Sequence, residues 1–406
     1  MARAQARHAQ QEIRQGYTKR RLTRLIWALV MVLVLLLALA QVATYYWAEG
    51  LWFDELGFLA EFLLRSRTQI TLGTFALLAS LGFTFFNLNL AERLQFNRNC
   101  ILPNQANLSI GLGLKGFLPV IFFLGAVIGA GLFHHGQITL NEIRSVRAAI
   151  PTPIGLNFRA NWMLAQQLVD QPIVLGAVGA GAIALIAFPK PLLRLSAIVL
   201  SGCFCITFTE EWARVLPALN PTPFGEVDPL FGQDLSFYIF QLPVWELVEF
   251  WLSGLLVFVM AAVTLEYLLA GNTFSQGRFA GFSRGQQRHL SAIASGLLAV
   301  TALGHWLGRY ELLYSKQGVT YGASFTDILV DLPVNVALGF ISLGLSLALA
   351  WRAIDGSGLT RRVLKMRGGL RARPVIGAIS LYLLFTLVGN TVAPWLVQRI
   401  VVQPNE

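Results

Sequence analysis

The sequence predicts an all-α integral membrane protein, a helical bundle of about nine transmembrane helices with a cytoplasmic N-terminus and an extracytoplasmic C-terminus. Of its 406 residues, 55% are hydrophobic and only 13% are charged, and the mean hydropathy is +0.60. Soluble domains carry about 25% charged residues. A soluble enzyme is therefore a poor fit, because too little polar surface is available to face water.

About nine apolar runs are long enough to cross the hydrocarbon layer. Each must be helical, because the bilayer cannot hydrogen-bond a free backbone. A basic cytoplasmic tail, residues 1–24, precedes the polytopic domain, residues 25–398. The predicted spans are 25–47, 69–90, 116–134, 171–188, 195–209, 248–269, 291–307, 333–350 and 374–394.

The fourth and fifth runs are separated by residues 189–194 alone, and the fifth run is short. They form either a tight hairpin or a re-entrant pair. Lys190 and Arg194 favour the hairpin, since cationic side chains mark a cytoplasmic turn.

Small residues recur at helix-packing spacing in the third run (Gly125 and Gly129) and in the fourth (Gly176 with Ala180, Ala177 with Gly181). Such faces let helices approach closely. We expect them to pack inside the bundle, against each other, and an oligomer interface is the alternative.

Charge alternates across the predicted spans and sets their orientation. Of the 31 Lys and Arg residues, 22 fall on the side of the N-terminus, whereas 16 of the 21 acidic residues fall on the opposite side. The positive-inside rule then makes the N-terminal side cytoplasmic. There the basic residues Arg361, Arg362, Lys365 and Arg367 are expected to bind anionic lipids and not nucleic acid.

Glu249 and Glu266 lie inside the sixth run. Ionisable groups within a membrane helix are functional candidates, because burying their charge is costly. Each of the two lies within about one turn of a helix end. Snorkelling or pairing with an interfacial arginine is therefore the favoured interpretation, and a proton or ion relay is the alternative.

The sequence offers no catalytic or metal-binding pattern. Asp228 and Asp234 lack the spacing of an EF-hand, and neither a nucleophile motif nor a phosphate loop occurs. The cysteines, Cys100, Cys203 and Cys205, form neither a C-x-x-C pair nor an even set. We therefore expect no enzyme activity, no cofactor and no bound metal.

The longest outer loop, residues 210–246, holds the densest motif. Proline and glycine at its start predict turns. Apolar residues from Leu235 to Phe240 predict a segment that lies along the membrane interface and turns at Pro243 into the sixth span.

This loop resembles the signature of the bacterial multi-pass membrane proteins grouped as uncharacterised protein family 0182. The family pattern F-G-x-x-D-P-x-F-x-x-D-x-x-F-Y-x-F-x-L-P is matched between Phe224 and Pro243. Similar blocks occur at 51–57 with 87–93, at 310–333 and at 402–406. Together the blocks span nearly the whole chain.

The resemblance implies a membrane domain that ends at the P-N-E sequence, residues 404–406, where an extracytoplasmic domain begins at about 399–406. It also implies that residues 99–206 are a family-atypical insertion with an extra helix pair, since members usually have about seven spans. Four blocks, 51–57, 224–243, 310–327 and 404–406, all fall on the predicted outer face.

The expected function is a non-enzymatic anchor or scaffold in the bacterial inner membrane, which presents its outer loops to extracytoplasmic partners or a membrane complex. The candidate docking residues are polar or aromatic and lie in those loops: Trp52, Asp54, Asp228, Asp234, Phe237, Tyr238, Tyr310 and Asp327. The alternative is a transporter or lipid-handling channel that uses Glu249 and Glu266. Internal repeats would favour it, and no clear repeat is visible in the sequence.

Overall fold

A computed structural model describes residues 26, 29–34, 36–37, 40–96, 114–144, 151–156, 158–269, 282–315, 321–354 and 372–402. The chain divides into two compact units, residues 1–68 and residues 69–406. The basic tail 1–24, the lipid-binding candidates Arg361, Arg362, Lys365 and Arg367, and residues 404–406 lie outside the described residues.

In the first unit, helix α1 (40–55) turns into the start of helix α2 (Leu59–Phe96). Gly57 makes the turn at φ +78°, a conformation that costs glycine little, and its N–H donates to the Asp54 carbonyl at 3.0 Å. Phe53 stacks on Phe62 with ring centroids 5.3 Å apart. The neighbouring Trp52 is 57% exposed. At this turn Phe53 is therefore packed, whereas Trp52 is open to the surroundings.

The second unit is helical throughout its described residues, apart from loops and one isolated bridge between Val227 and Asp234. The predicted all-α class is therefore confirmed. After α2, the α-helices are α3 (Leu114–Ile143), α4 (Phe158–Val169), α5 (Pro172–Ala187), α6 (Pro189–Glu210), α7 (Trp212–Leu219), α8 (Leu242–Leu269), α9 (Arg284–Glu311), α10 (Leu332–Ile354), α11 (Ala372–Leu387) and α12 (Ala393–Val397).

Six helical stretches in the described residues are long and apolar enough to cross a membrane, and they match the predicted second, third and fifth to eighth spans. The helices α4 and α5 are bent by 105° at their break, so this pair is either one broken span or a re-entrant loop. The first predicted span includes residues outside the described ranges, and the ninth, 374–394, is helical but is not among these six. The total of nine therefore stays a prediction. The six stretches are Leu59–Gln95, Leu118–Ile143, Pro189–Glu210, Phe237–Leu269, Arg284–Tyr314 and Asp327–Ile354.

Helix α4 lies where the sequence analysis placed a loop. Leu164 and Leu168, one turn apart, are buried, whereas Trp162 and Met163 between them and the helix start are exposed. This is the pattern of a short amphipathic helix. A search for long apolar runs passes over it, because its polar face lowers the average hydropathy.

Contact registers give the relative directions of the helices. Along α8 and α9, residue numbers rise on one helix as they fall on the other, so the two are antiparallel; the contact pairs are Glu249 with Gly304, Leu256 with Gly296, and Tyr267 with His289. Helices α9 and α10 are antiparallel as well, as are α2 and α6. Helices α2 and α8 run parallel, since Ser80 meets Trp251 and Gln95 meets Glu266. These directions agree with strict alternation across a membrane.

Helix α8 forms the centre of the second unit. In the most apolar stretch of α8, 72% of the residues are buried, against at most 44% in any other candidate span. Helices α3, α6, α7 and α9 pack against it. Its Trp251 indole N–H donates to the Ser80 hydroxyl of α2 at 2.8 Å. Together with the bond from Gln95 to the Glu266 carbonyl, it fixes the register of two largely apolar helices.

Three of the proline residues that lie inside helices come two residues after a π-helical turn. The turns Phe237–Gln241, Asp327–Asp331 and Val388–Val392 are followed by Pro243, Pro333 and Pro394. Proline lacks an N–H and its ring collides with the carbonyl four residues earlier, so a widened turn accommodates it. The predicted interfacial segment that turns at Pro243 is therefore wrong: a helix already begins at Leu235 and runs through the proline.

Helices α8 and α10 begin with the same local sequence and structure, 90 residues apart. Both have a glycine at positive φ (Gly232, φ +67°; Gly322, φ +129°), then a π-helical turn, then Leu-Pro-Val. The residues 232–244 and 322–334 align without a gap. The sequence analysis found no clear internal repeat, because outside Gly, Ser or Thr, and Leu-Pro-Val the two segments differ.

The predicted close contact between the third and fourth runs is present, but only the glycines of the third run contribute to it. A Cβ at Gly125 would lie 3.0 Å from the Cα of Ala182, and one at Gly129 would lie 3.1 Å from a Val178 methyl group. The α3 glycines thus face α5. In contrast, Gly176 and Gly181 of α5 have no such neighbour within 4 Å.

We expect Gly131→Ala to leave the protein more stable than Gly125→Ala by about 1–3 kcal/mol, the usual cost of overpacking. Both substitutions gain the same helix propensity. Only the Gly125 variant meets a neighbouring backbone, since a Cβ at Gly131 has nothing within 4 Å. Thermal unfolding of the two purified variants measures the difference, and equal unfolding temperatures would contradict the close α3–α5 contact.

Candidate functional site at the loop end of the bundle

The start of α8, the end of α9 and the start of α10 lie at one end of the second unit, because α9 is antiparallel to both neighbours. We call this the loop end. It holds the loop 220–236, the segment Tyr310–Tyr314 and the segment 321–326, which are the family-like blocks of this unit. Phe231 and Phe237 each contact Tyr310, with ring centroids 5.0 Å apart, so the blocks pack on one another.

Asp228 holds the loop 220–236 together from inside. Its carboxylate accepts backbone N–H groups from Leu230 (2.9 Å), Phe231 (2.6 Å) and Gln233 (2.8 Å), and the Tyr238 hydroxyl donates to it at 2.7 Å. The side chain is only 5% exposed. Burial opposes ionisation, but the four hydrogen bonds outweigh it and lower the pKa of Asp228 below its usual 3.8. The Asp228 carboxylate therefore forms its hydrogen bonds inside the protein and supports the loop.

Asp234 plays the same role at the other end of the loop. It accepts the N–H groups of Phe224 (3.1 Å), Gly225 (2.9 Å) and Ser236 (2.8 Å). The Ser236 hydroxyl is the largest of the hydrogen-bonding influences that together lower the pKa of Asp234 to about 2. Gly225 reaches its bond at φ +76°, a conformation suited to glycine.

An aromatic cluster joins this loop to the end of α9. Tyr238 is 6% exposed, and its backbone carbonyl accepts the Tyr314 hydroxyl at 3.4 Å. The Arg309 guanidinium lies 3.3 Å from the Trp306 ring centroid and 5.1 Å from that of Tyr310. Such a cation–π contact stabilises a half-buried arginine beside aromatic rings. The cluster makes the loop and the helix end one rigid surface.

Asp327 lies at the repeated start of α10 and is 1% exposed. Its Oδ2 accepts the Ser324 N–H at 2.7 Å, and the Ser324 hydroxyl accepts the Asp327 N–H at 3.3 Å. The neighbouring Thr326 hydroxyl donates to Gln398 at 3.0 Å, which ties this helix start to the last described turn. Like Asp228 and Asp234, Asp327 faces inward.

The surface that the loop end presents includes a group of exposed apolar side chains. Four side chains in its loops are strongly exposed: Phe224 (48%), Val227 (65%), Tyr321 (79%) and Phe325 (56%). Sequence reasoning named the aspartates as docking residues and missed these four. The signal for the inward carboxylates is the Asp-Pro turn with glycine nearby, where aspartate commonly bonds to local backbone.

The acidic candidates of the sixth span occupy opposite ends of α8. The Glu249 carboxylate lies against Gly304 in the contact with α9, together with Glu246 and Glu311, which sequence reasoning did not name. Glu266 is 5% exposed at the other end, where it interacts electrostatically with Glu92, Lys190 and Arg194.

That other end of the bundle is basic. Glu92 of α2 is 3.1 Å from Arg194 and 3.6 Å from Lys190, both on α6. Arg352 at the end of α10 donates to Gln287 of α9 at 3.2 Å. The structure thus gathers cationic side chains opposite the loop end, as the charge alternation predicts.

Within the described residues, no three His, Cys, Asp or Glu side chains converge closely enough to hold a metal ion. His134, His135, His289 and His305 each bond to other groups: His305, for example, contacts Asn335 and Tyr382 at 3.1 Å.

The long apolar helices are compatible with a helical membrane protein. The family model of the uncharacterised protein family UPF0182 matches residues 26–406. The chain belongs to this family, and the resemblance drawn from its motifs is confirmed. No solved structure matches it.

Similar proteins occur in cyanobacteria. The chain is 36% identical over 409 residues to UPF0182 protein alr1037 of Nostoc sp., which covers 93% of this chain and 40% of that protein. It is 31% identical over 422 residues to UPF0182 protein sll1060 of Synechocystis sp., with 93% and 40% coverage. The chain thus spans about 40% of the length of these relatives.

We expect Asp228→Ala to destabilise the protein by about 3 kcal/mol or more, because it leaves three backbone N–H groups and one hydroxyl without their acceptor. Tyr238→Phe removes only one of these bonds and should cost about 1 kcal/mol. Thermal unfolding in detergent measures both. A cost for Asp228→Ala no larger than that for Tyr238→Phe would show that the carboxylate does not organise the loop.

The contribution of Asp234 should depend on pH. Its folded pKa of about 2 lies below its usual 3.8, so its stabilising effect is complete above the usual value and is lost as pH falls toward 2. The difference in unfolding temperature between wild type and Asp234→Asn should be constant near neutral pH and shrink below about pH 4. A difference that is already shrinking at pH 6 would contradict this assignment.

Proposed function

We propose that this chain is the membrane platform of a larger extracytoplasmic assembly: a non-enzymatic module of the bacterial inner membrane that holds a protein domain on its loop end. The N-terminus and the basic end face the cytoplasm in this proposal, and the basic residues 361–367 contact anionic lipids. The observation that carries it is the group of exposed apolar side chains on the braced loops of the loop end, which belong to the family-like blocks.

Rigidity supports the proposal because it lowers the entropy lost on binding. The loop 220–236 is fixed by seven hydrogen bonds to Asp228 and Asp234 together. A loop of the same length that served only as a connection would not need this bracing. The docking surface in this proposal consists of the outward side chains Phe224, Val227, Tyr321 and Phe325, and the inward aspartates support it.

Exposure of apolar side chains on loops supports a protein partner. Side chains on the flanks of membrane helices are covered by lipid, whereas apolar residues on loops beyond the helix ends need another cover. The proposed cover is an extracytoplasmic domain. The relatives contain more than twice the length of this chain, which gives room for such a domain in the family.

The proposal is tested by replacing Val227 with a photo-crosslinking amino acid in cells. We expect irradiation to link residue 227 to a protein segment on the extracytoplasmic side of the membrane, identified by mass spectrometry. The matched control is Leu78, which is 63% exposed on the flank of α2 and should capture only lipid. Lipid adducts alone, or adducts with cytosolic proteins, at residue 227 would overturn the platform.

A further inference from the structure

A second feature, independent of the docking surface, is a narrow acidic cleft between α8 and α9. The Glu249 carboxylate fits against the backbone of Gly304, where a Cβ would overlap its Oε1 and lie 2.9 Å from its Cδ. Only glycine leaves this space. Glu249 therefore points into the helix contact and does not extend toward the membrane surface.

Two further carboxylates continue this cleft toward the loop end. Glu246 precedes Glu249 by three residues, so both lie on the same face of α8. Glu311 follows Gly304 by seven residues, which is two turns of α9 on the same face. Because the helices are antiparallel, Glu246 and Glu311 both lie on the loop-end side of Glu249. Electrostatic interactions accordingly link Glu249 with Glu246 and Glu311, and Glu246 with Glu311.

The Glu246 side chain is 9% exposed, yet within the described residues no hydrogen bond or ion pair reaches its carboxylate. The nearest cation that interacts with it is Arg214 of α7, which is already paired with Glu211 at 2.7 Å. The ring nitrogens of His305, next to Gly304, are occupied by Asn335 and Tyr382. The other titratable groups around the cleft and around Arg214 are Tyr314, Glu142 and Glu210.

Glu246 is buried and Glu249 is half-buried, whereas Glu311 at the end of α9 is exposed. Three like charges along one helix contact require compensation, because a buried carboxylate without a donor or a counter-charge is costly. A chelated metal ion does not supply it, since within the described residues no acidic set converges closely enough. A proton needs no such convergence: it binds one carboxylate and is shared with its neighbours. We propose that Glu246, Glu249 and Glu311 form a proton-binding site in the membrane part of the chain.

Infrared spectroscopy of the protein reconstituted in uncharged lipid vesicles tests the proposal. We expect a C=O stretch of a protonated carboxylic acid at neutral pH, which shifts in heavy water. Glu249→Gln should remove or strongly weaken this band, because the neutral amide takes away one of the negative charges that favour binding of the proton. Glu226→Gln is the control: Glu226 is exposed on the loop 220–236, and its loss should leave the band unchanged.

The wild-type spectrum by itself can overturn the site, so the test does not depend on the folding of a variant. Absence of the protonated band at neutral pH in the wild type would do so. A band that survives in Glu246→Gln, Glu249→Gln and Glu311→Gln alike would also overturn it. So would a band that disappears at constant pH when sodium or calcium ions are added, since a metal ion would then be the bound cation.

Discussion

The inability of lipid to hydrogen-bond the backbone is the constraint on which this structure depends. It makes the crossing segments helical and also explains how their prolines are accommodated. Pro243, Pro333 and Pro394 lie inside helices, and each follows a π-helical turn that gives the ring room. The helix thus continues through a residue that ends most helices in water.

The need to satisfy buried polar groups also determines the structure of the loop end. Backbone N–H groups in the loop 220–236 find acceptors in Asp228 and Asp234, and the Tyr238 hydroxyl bonds to Asp228. These carboxylates are therefore turned inward, and aromatic and aliphatic side chains are left outside. The polar residues that stand out in the sequence are the supports of the surface, whereas the residues that face outward look unremarkable in the sequence.

The sequence predicts the all-α class, six of the long helices and the α3 side of the α3–α5 contact, because each depends on apolar length or on residue size. It does not predict α4, whose polar face hides its periodicity. Glu246 and Glu311 were missed because their proximity to Glu249 depends on the antiparallel register of α8 and α9, fixed by contacts far apart in the chain. Asp228 was found, but its orientation requires the loop geometry.

The matching starts of α8 and α10 have a consequence for which substitutions this bundle can accept. Glycine, the π-helical turn and Leu-Pro-Val hold the backbone in both copies, so the side chains between them can differ without altering the path of the chain. Phe237 in one copy corresponds to Asp327 in the other, and Tyr238 corresponds to Ile328. The same backbone conformation can thereby carry aromatic side chains at the start of α8 and an acidic side chain at the start of α10.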